Sequence, residues 1–405
     1  MKKWLDIIGV DERGIKALGA NEQALLRAAR NVLGPQRFID QLASASLEQK
    51  HISWQPPFSL MIKQVEALGG TKSVILASGD PNWFGIGASL ARHLKADEFT
   101  LHPALSAFQL AAARLHWPLQ NIATISLHGR AVESLHRYVV PGNRILALTS
   151  GSATLFAAAK ILVARKYGHS RLSVLENLGA KNERIISFLA KDADQQNIGE
   201  FFTLAIDCVA DVGAPLLPAI PGLPDDFFNN DGQLTKREVR AISLARLAPF
   251  AGALLWDVGA GSGSVAIEWM RAAPGAKAIC FEKDLKRCDL IAQNRLDLGV
   301  PSLEIVAGTA PASLAGRPSP DAIFIGGNVN SPQLFDACYK ALKAGGIIVA
   351  NAVTLEGEAA LIEHHKRLGG ELVQIAISRL KNIGSLSAFQ PRLPITQFIH
   401  VKEPQ

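Results

Sequence analysis

Three closely spaced glycines between an apolar run and a helical stretch mark the strongest candidate site in the sequence. They stand in residues 254–268, which read LLWDVGAGSGSVAIE. Glycine allows a left-handed backbone and has no Cβ to hold a ligand away from the main chain. Glu282 follows Gly263 by about 20 residues, and a carboxylate at this spacing can accept hydrogen bonds from both hydroxyls of a ribose. The pattern therefore predicts a nucleoside site.

Two features of this loop favour S-adenosylmethionine over a nicotinamide dinucleotide. The glycine spacing is G-x-G-x-G, whereas dinucleotide sites use G-x-G-x-x-G and seat a pyrophosphate on the helix N-terminus. The negative charge of Asp257 would repel a pyrophosphate and attract the ammonium group of an amino acid. We predict S-adenosylmethionine as the cofactor. A nicotinamide dehydrogenase stays an alternative, as does a glycine turn that only packs a helix on a strand.

Length and composition favour two domains in a folded chain. The 405 residues exceed the roughly 250 to 300 at which one hydrophobic core stops growing. Hydrophobic residues make up 48% and charged residues 19%, so little disorder is expected. The net charge of +6 comes from scattered lysines and arginines, which suits a small substrate with many carboxylates. The same charge leaves a methyltransferase acting on RNA or another polyanion as an alternative.

The sequence has no pattern typical of a metal site, a disulfide framework or a membrane span. Its four cysteines form no C-x-x-C pair and have no histidine at zinc spacing. No stretch of 18 apolar residues occurs, and no basic helix carries interleaved aromatic residues. We therefore expect a cytoplasmic enzyme that binds no metal and has no nucleic-acid or membrane partner.

Apolar runs alternate with longer helical stretches in both halves, which predicts α/β layers over mainly parallel sheets. The predicted strands are residues 4–10, 73–77, 144–148, 253–258, 278–281, 322–325 and 346–350. Proline and glycine crowd the segment before Gly232, which cannot sustain a helix. We predict a first domain at 1–210, a linker at 211–231 and a second domain at 232–405. No repeat relates the two, so we expect different folds.

Four runs in the C-terminal half carry a resemblance to a known family: residues 232–240 (GQLTKREVR), the loop after Asp257, 324–327 (FIGG) and 349–356 (VANAVTLE). Together they resemble the decarboxylating module of the precorrin-6Y C5,15-methyltransferase family of vitamin B12 biosynthesis. The resemblance implies a Rossmann-like class I methyltransferase fold. The cofactor contacts implied by the resemblance are Thr235, Gly259, Ala260, Gly261, Ser262, Gly263, Glu282 and Ala310.

Two polar residues follow the fifth strand predicted in this half. Asn351 and Glu356 lie where substrates bind in such sheets, beyond the carboxyl ends of the strands. We predict that both contact the substrate, with packing at the strand end as the alternative.

The N-terminal half is similar to the tetrapyrrole methylase fold, in which two α/β subdomains hold the cofactor between them. The similar runs are residues 78–85 (SGDPNWFG), 106–114 (SAFQLAAAR), 127–130 (LHGR), 148–154 (LTSGSAT) and 176–179 (ENLG). The resemblance implies cofactor contacts for Gly79, Asp80 and Pro81, which by themselves indicate only a turn after a buried strand. Arg130 is predicted to bind a substrate carboxylate through its guanidinium group.

Together the two resemblances imply one bifunctional methyltransferase acting on precorrin-6Y. The first domain would methylate C5, and the second would methylate C15 and decarboxylate the C12 acetate to give precorrin-8. We expect the enzyme to form a homo-oligomer. Methyl transfer from a sulfonium needs alignment more than a strong base. Accordingly, no catalytic acid or base is predicted, and neither His102 nor His128 is assigned that role.

One departure from the family pattern motivates a further alternative. The usual opening of the tetrapyrrole methylase fold, G-x-G-P-G, reads GVDERG at residues 9–14. This loop leaves open that the N-terminal half is a binding module without catalytic activity.

Overall fold

The chain forms two compact units in a computed structural model that describes residues 3–42, 49–55 and 57–404. The first unit comprises residues 1–130 and 141–214, and the second comprises residues 131–140 and 215–405. Within the described ranges, no helix is long and apolar enough to cross a membrane.

The first unit begins with a five-stranded parallel sheet of order β3-β2-β4-β1-β5. The central strands β1 and β4 are apolar and buried on both faces, as parallel strands covered by helices require. The strands are Leu5–Val10 (β1), Asn31–Gly34 (β2), Lys50–Ser53 (β3), Ser73–Ser78 (β4) and Phe99–His102 (β5). The helices are Ala20–Ala28 (α1), Gln36–Ile39 (α2), Phe58–Glu66 (α3), Ile86–Leu90 (α4) and Ala107–Leu115 (α5).

A second sheet completes this unit, with the order β6-β7-β10-β8-β9. Only β6 and β7 run parallel, and the other neighbours are antiparallel. Its elements are Ile122–Ser126 (β6), Arg144–Leu148 (β7), Ser152–Ala164 (α6), Arg171–Glu176 (β8), Arg184–Leu189 (β9) and Phe202–Asp207 (β10). The first unit therefore consists of two α/β subdomains.

The second unit is built on a seven-stranded sheet of order β13-β12-β11-β14-β15-β19-β16. Its last strand, β19, runs antiparallel between β15 and β16. The strands are Leu254–Val258 (β11), Lys277–Glu282 (β12), Glu304–Ala307 (β13), Ala322–Ile325 (β14), Ile347–Ala352 (β15), Glu371–Ile375 (β16) and Ile395–Val401 (β19). The helices are Arg237–Leu247 (α7), Ser264–Ala272 (α8), Leu285–Asp297 (α9), Pro332–Ala341 (α10) and Leu355–Leu368 (α11).

Helices cover both faces of this sheet because alternate residues of a strand point to opposite sides. Leu255 packs with Trp269 on one face, while Trp256 packs with Phe335 on the other. The carboxyl edge of the parallel strands is thereby left to the connecting loops.

Between β16 and β19, residues Ser378–Ile383 (β17) and Leu386–Pro391 (β18) form an antiparallel hairpin. Gly384 has a φ of 61° and begins the two-residue turn that joins them. The hairpin has little contact with the core: Leu380, Leu386 and Phe389 are all exposed.

Short 3₁₀ turns connect several elements. They are Ile15–Ala17, Asp40–Leu42, Leu119–Asn121, Val132–Arg137, Ala190–Gln195, Asp225–Phe227 and Ala312–Leu314.

The proline-rich segment before α7 is anchored to the second unit by a buried ion pair. Leu217, Leu223 and Phe228 enter the core of that unit. The fully buried Arg240 donates a hydrogen bond of 2.6 Å to the buried carboxylate of Glu268, which also accepts two backbone N–H groups of the segment. The segment is thus fixed by both apolar contacts and charge.

The α/β class predicted from the sequence is confirmed, with two subdomains in the first unit and a Rossmann-like sheet in the second. Each predicted strand is present within two residues at either end. The predicted domain boundaries stay predictions.

Candidate functional site

The first two glycines of the predicted nucleoside loop lie on the wall of a cavity in the second unit. Gly259 and Gly261 have φ angles of 72° and 58°, in the left-handed region that favours glycine. A Cβ on Gly261 would lie 2.8 Å from the carbonyl oxygen of Gln233. Ala260 lies between them on the same wall. The loop therefore presents bare backbone to the cavity.

Ser262 and Gly263 are not among the cavity-lining residues, and both contact α9. A Cβ on Gly263 would lie 2.9 Å from Cγ2 of Ile291, so this glycine lets α8 approach α9 closely. The backbone carbonyl of the buried Ser262 accepts a hydrogen bond of 3.0 Å from Asn294. The predicted cofactor contacts of these two residues stay predictions.

Glu282 ends β12 and brings a buried carboxylate to the cavity wall beside the loop. Its Oε2 accepts the backbone N–H of Gly261 at 2.9 Å, and its Oε1 accepts that of Asp284 at 3.0 Å. Each oxygen has a further lone pair, because a carboxylate offers about four acceptor positions. Glu282 thus holds the loop in place and can still accept hydrogen bonds from a diol.

Asp257 lies one layer below this wall, fully buried at the end of β11. Its Oδ2 accepts the N–H of Ala266, at 3.1 Å, in the first turn of α8. Burial raises the pKa of Asp257 to about 7; the hydrogen bond from Ala266 opposes this shift, and the charge of Glu282 adds to it. Near neutral pH the carboxyl group is therefore divided between its two protonation states.

This pKa predicts that a cationic ligand expels a proton from Asp257 when it binds. The affinity of S-adenosylmethionine should fall by about tenfold per pH unit below 7. The variant Asp257→Asn, whose amide oxygen can still accept the Ala266 N–H, should bind more weakly at pH 8 and lose this slope. Calorimetry at pH 7 in two buffers of different ionisation enthalpy should detect proton release with the native chain only.

The same pKa fixes the direction of a stability effect. The pKa of Asp257 is higher in the folded chain than in the unfolded chain, so protonation of this residue favours the ligand-free fold. This stabilisation is fully present below about pH 4 and is lost as pH rises through 7. Asp257→Asn should therefore unfold at a higher temperature than the native chain at pH 8. A lower unfolding temperature for the variant at that pH would contradict this interpretation.

The cavity has a volume of about 960 Å³ and lies at the carboxyl ends of the parallel strands. Thr235 and Ala310, two of the predicted cofactor contacts, lie on its wall, as does Asn351. Glu356 instead lies exposed in the first turn of α11 and is not among the lining residues. Thr354, which caps that helix, lines the cavity in its place.

Asn351 is held rigidly by a polar network below the cavity. Its side chain donates to Ser243 at 3.2 Å and accepts from Gln397 at 2.8 Å. Gln397 also donates to Ser243, and both residues are buried. A side chain fixed by two buried partners loses little conformational entropy when it contacts a ligand.

The first unit contains a separate cavity of about 500 Å³, lined by residues of both its subdomains. Gly79 and Asp80 lie on its wall, and Gly79 adopts a φ of 63°. The carboxylate of Asp80 accepts the N–H of Asn82 at 2.8 Å, which closes the turn. Pro81 is buried and is not among the lining residues.

Arg130 lies on the wall of this first cavity, with its guanidinium carbon 5.3 Å from the ring centre of Phe84. Phe84 has a φ of 58°, which is rare for a bulky residue and marks a constrained backbone. The two histidines considered in the sequence analysis lie in different places. His128 lies on the cavity wall, whereas Nε2 of His102 lies 2.9 Å from Oδ1 of Asp6.

The sequence analysis did not predict several of the residues that line the two cavities. Asp11 and Glu12 bring the first loop to the first cavity, despite its altered glycine pattern. Asn328 and Arg392 lie on the wall of the second cavity. Asn328 follows the Gly-Gly turn after β14, so its place at the cavity could have been predicted from the sequence. The residues around Arg392 contain no pattern that predicts its position.

Comparisons with known proteins relate the whole chain to tetrapyrrole chemistry. The model of the Tetrapyrrole (Corrin/Porphyrin) Methylases matches residues 7–194, and that of the Precorrin methyltransferase domain matches residues 226–402. The chain is similar to a precorrin-6Y C(5,15)-methyltransferase (decarboxylating) of Sinorhizobium sp, at 43% identity over 98% of this chain and 96% of that protein. The protein of the same description in Mycobacterium tuberculosis is 36% identical over 97% of this chain and 98% of its own length.

Solved structures also match parts of the chain. The C-terminal domain of precorrin-6Y C5,15-methyltransferase from Rhodobacter capsulatus is 43% identical, with 46% of this chain and 100% of that one aligned at a TM-score of 0.44.

Proposed function

Because the chain belongs to the precorrin-6Y C5,15-methyltransferase (decarboxylating) family, we propose that it methylates C5 and C15 of precorrin-6Y and decarboxylates the C12 acetate, giving precorrin-8. The first unit acts at C5, and the second acts at C15 and C12. The observation that carries this proposal is the presence of two separate cavities, one in each unit, each lined mainly by residues within the range that a family model matches.

The second cavity fits S-adenosylmethionine by shape and by charge. Its bare glycine backbone lets a ligand approach closely, and the acceptors of Glu282 suit a ribose diol. The charge of Asp257 below the loop suits an ammonium group. When bound, the cofactor supplies an electrophilic methyl group whose carbon–sulfur bond breaks, with its electron pair, toward sulfur.

The residues of the chain then hold donor and acceptor in line and keep water out. Thr235, Ala310 and Asn351 line the cavity, and the hydrogen bond from Asn351 to Ser243 orients the Asn351 side chain. No side chain needs to act as a strong base, because the meso carbon of a reduced tetrapyrrole is made nucleophilic by its conjugated nitrogens. Its proton leaves after the new carbon–carbon bond has formed.

In the decarboxylation, too, the substrate accepts the electrons and the protein orients the substrate. The bond between the acetate CH₂ and its carboxylate breaks, carbon dioxide leaves, and the conjugated macrocycle accepts the electron pair. A proton then adds to the CH₂ carbon and leaves a methyl group at C12. The chain contributes orientation in a cavity large enough to hold the substrate edge.

In the first unit, Arg130 is proposed to bind a carboxylate of the same substrate. Its position over the Phe84 ring limits the directions that the guanidinium can adopt. Gly79 and Asp80 are proposed to contact the cofactor there. Arg130 thereby orients C5 toward the methyl donor.

Mass spectrometry of the product tests the proposal. The full chain, supplied with precorrin-6Y and ¹³C-methyl S-adenosylmethionine, should give two labelled methyl gains and one loss of carbon dioxide. At limiting cofactor concentration, Glu282→Gln should strongly lower the C15 label and the decarboxylation, whereas Arg130→Met should lower the C5 label. Nuclear magnetic resonance assigns each labelled carbon to its position.

The two variants serve as controls for each other, because each leaves the opposite cavity intact. If Arg130→Met and further changes at Gly79 left both methyl gains at full rate, the first unit would be a binding module. If the native chain transferred no label to precorrin-6Y, the proposed substrate would be wrong. A steep loss of binding with salt, together with label in RNA, would favour the polyanion alternative.

A further inference from the structure

The second cavity extends well beyond the part that a nucleoside needs. Glu282 lies at the end of β12, and Arg392 lies just before β19, which is four positions away in the sheet order. Neighbouring strands lie about 4.8 Å apart, so the start of β19 lies roughly 19 Å across the sheet from the end of β12. The end at β19 is therefore the substrate end if Glu282 binds the ribose.

Several apolar residues near β16 and β19 line the cavity around Arg392. They are Ile375, Ile377, Leu393 and Ile395, and Arg392 stands among them with an exposed side chain. A flat macrocycle with carboxylates at its periphery has the complementary pattern, an apolar face with charges at its edge.

The position of Arg392 is fixed by the base of the hairpin. Its backbone N–H donates a hydrogen bond of 2.9 Å to the carbonyl oxygen of Ile377, which closes the hairpin next to the cavity. Within residues 3–42, 49–55 and 57–404, no hydrogen bond or ion pair is found for its guanidinium group.

Glu238, a carboxylate that Arg392 influences electrostatically, is hydrogen-bonded to another arginine. Nη2 of Arg379 lies 2.6 and 2.7 Å from the two oxygens of Glu238. Burial has the largest single effect on the pKa of Glu238 and raises it, but the hydrogen bonds and charge of Arg379, a backbone hydrogen bond and the charge of Arg392 together lower it. The hydrogen bonds of Glu238 are thus directed to Arg379, and Arg392 keeps its donors for a ligand.

We propose that Arg392 binds a side-chain carboxylate of the tetrapyrrole and so determines which edge of the macrocycle faces the glycine loop. This inference rests on the proposed function. The carboxylate it binds is not the one that leaves as carbon dioxide, because pairing with a guanidinium would stabilise that carboxylate against its loss. Arg392 is thus a specificity-determining residue for the reactions of the second unit.

Steady-state kinetics of the full chain with precorrin-6Y tests the inference. Arg392→Met should raise the KM for C15 methylation and decarboxylation by roughly 10- to 100-fold, the effect of losing one charge-assisted hydrogen bond. S-adenosylmethionine affinity and C5 methylation should stay within about threefold of the native values. Arg392→Lys should retain most of the binding because it keeps the charge.

Lys381→Met is the matched control, since it removes one positive charge from the same exposed hairpin but lies outside the cavity wall. Its KM should not change. Equal KM values for Arg392→Met and the native chain would overturn the inference, as would Arg392→Lys being as weak as Arg392→Met. Failure of the native chain to form any product would instead refute the proposed function.

Discussion

Replacing Arg240 by methionine should lower the free energy of unfolding of the second unit by about 3–5 kcal/mol. The Arg240 guanidinium is fully buried and donates to Glu268, to Asp225 at 3.1 Å, and to the backbone carbonyls of Thr235 and Leu223. Methionine fills similar volume but leaves the Glu268 carboxylate buried without its counter-charge. Denaturant unfolding measures the loss, and faster hydrogen exchange of peptides from α7 and α8 locates it.

Two further variants distinguish the loss of the buried ion pair from the loss of a positive charge on α7. Arg246→Met removes an arginine of the same helix that forms an exposed pair with Glu371, and it should cost less than about 1 kcal/mol. Combining Arg240→Met with Glu268→Gln should recover part of the loss, because the neutral amide removes the unpaired carboxylate and its oxygen can still accept the N–H of Leu223. A double variant less stable than Arg240→Met alone would contradict this explanation.

The same ion pair links fold to function through Thr235. The carbonyl oxygen of Thr235 accepts a hydrogen bond from Arg240, and Thr235 lies on the wall of the cofactor cavity. Folded Arg240→Met chains should therefore also bind cofactor more weakly.

Parallel strands were predictable from the sequence because they are buried on both faces. Leu254–Val258 and Ala322–Ile325 are nearly continuous apolar runs bounded by turn residues, so local composition suffices. The hairpin at the C-terminal end was not predicted, although Gly384 and Ser385 between two short alternating runs are a hairpin signal. Its exposed apolar residues gave no core-facing pattern.

The site was predictable only in part, because contacts with residues distant in sequence decide which residues of the glycine loop face the cavity and which pack in the interior. Gly259 and Gly263 look equivalent in sequence, yet one lines the cavity and the other meets Ile291 of α9. The burial of Asp257 and the position of Arg392 on the cavity wall likewise depend on contacts distant in the chain. Spacing identifies the loop, and packing decides which of its residues can reach a ligand.

Glu282→Gln should have the largest effect on cofactor binding, raising the dissociation constant of S-adenosylmethionine roughly 100-fold, or about 3 kcal/mol. Both carboxylate oxygens of Glu282 accept a backbone N–H, from Gly261 and from Asp284. An amide has one acceptor oxygen, so its NH₂ group must face one of these donors and displace the loop or the turn. The variant also loses the charge that strengthens hydrogen bonds to a ribose.

Asp284→Asn is the matched control, because it removes the same charge two residues away, outside the cavity wall. Asparagine also caps helices well, so the bonds that Asp284 accepts from Lys286 and Arg287 at the start of α9 are retained. This control should change affinity by less than about threefold.

A comparison of ligands distinguishes the role of Glu282 from that of Asp257. Glu282→Gln should weaken the binding of adenosine as much as that of S-adenosylmethionine, whereas Asp257→Asn should weaken the binding only of ligands that carry the ammonium group. Native affinity for adenosine in a folded Glu282→Gln chain would show that the ribose binds elsewhere.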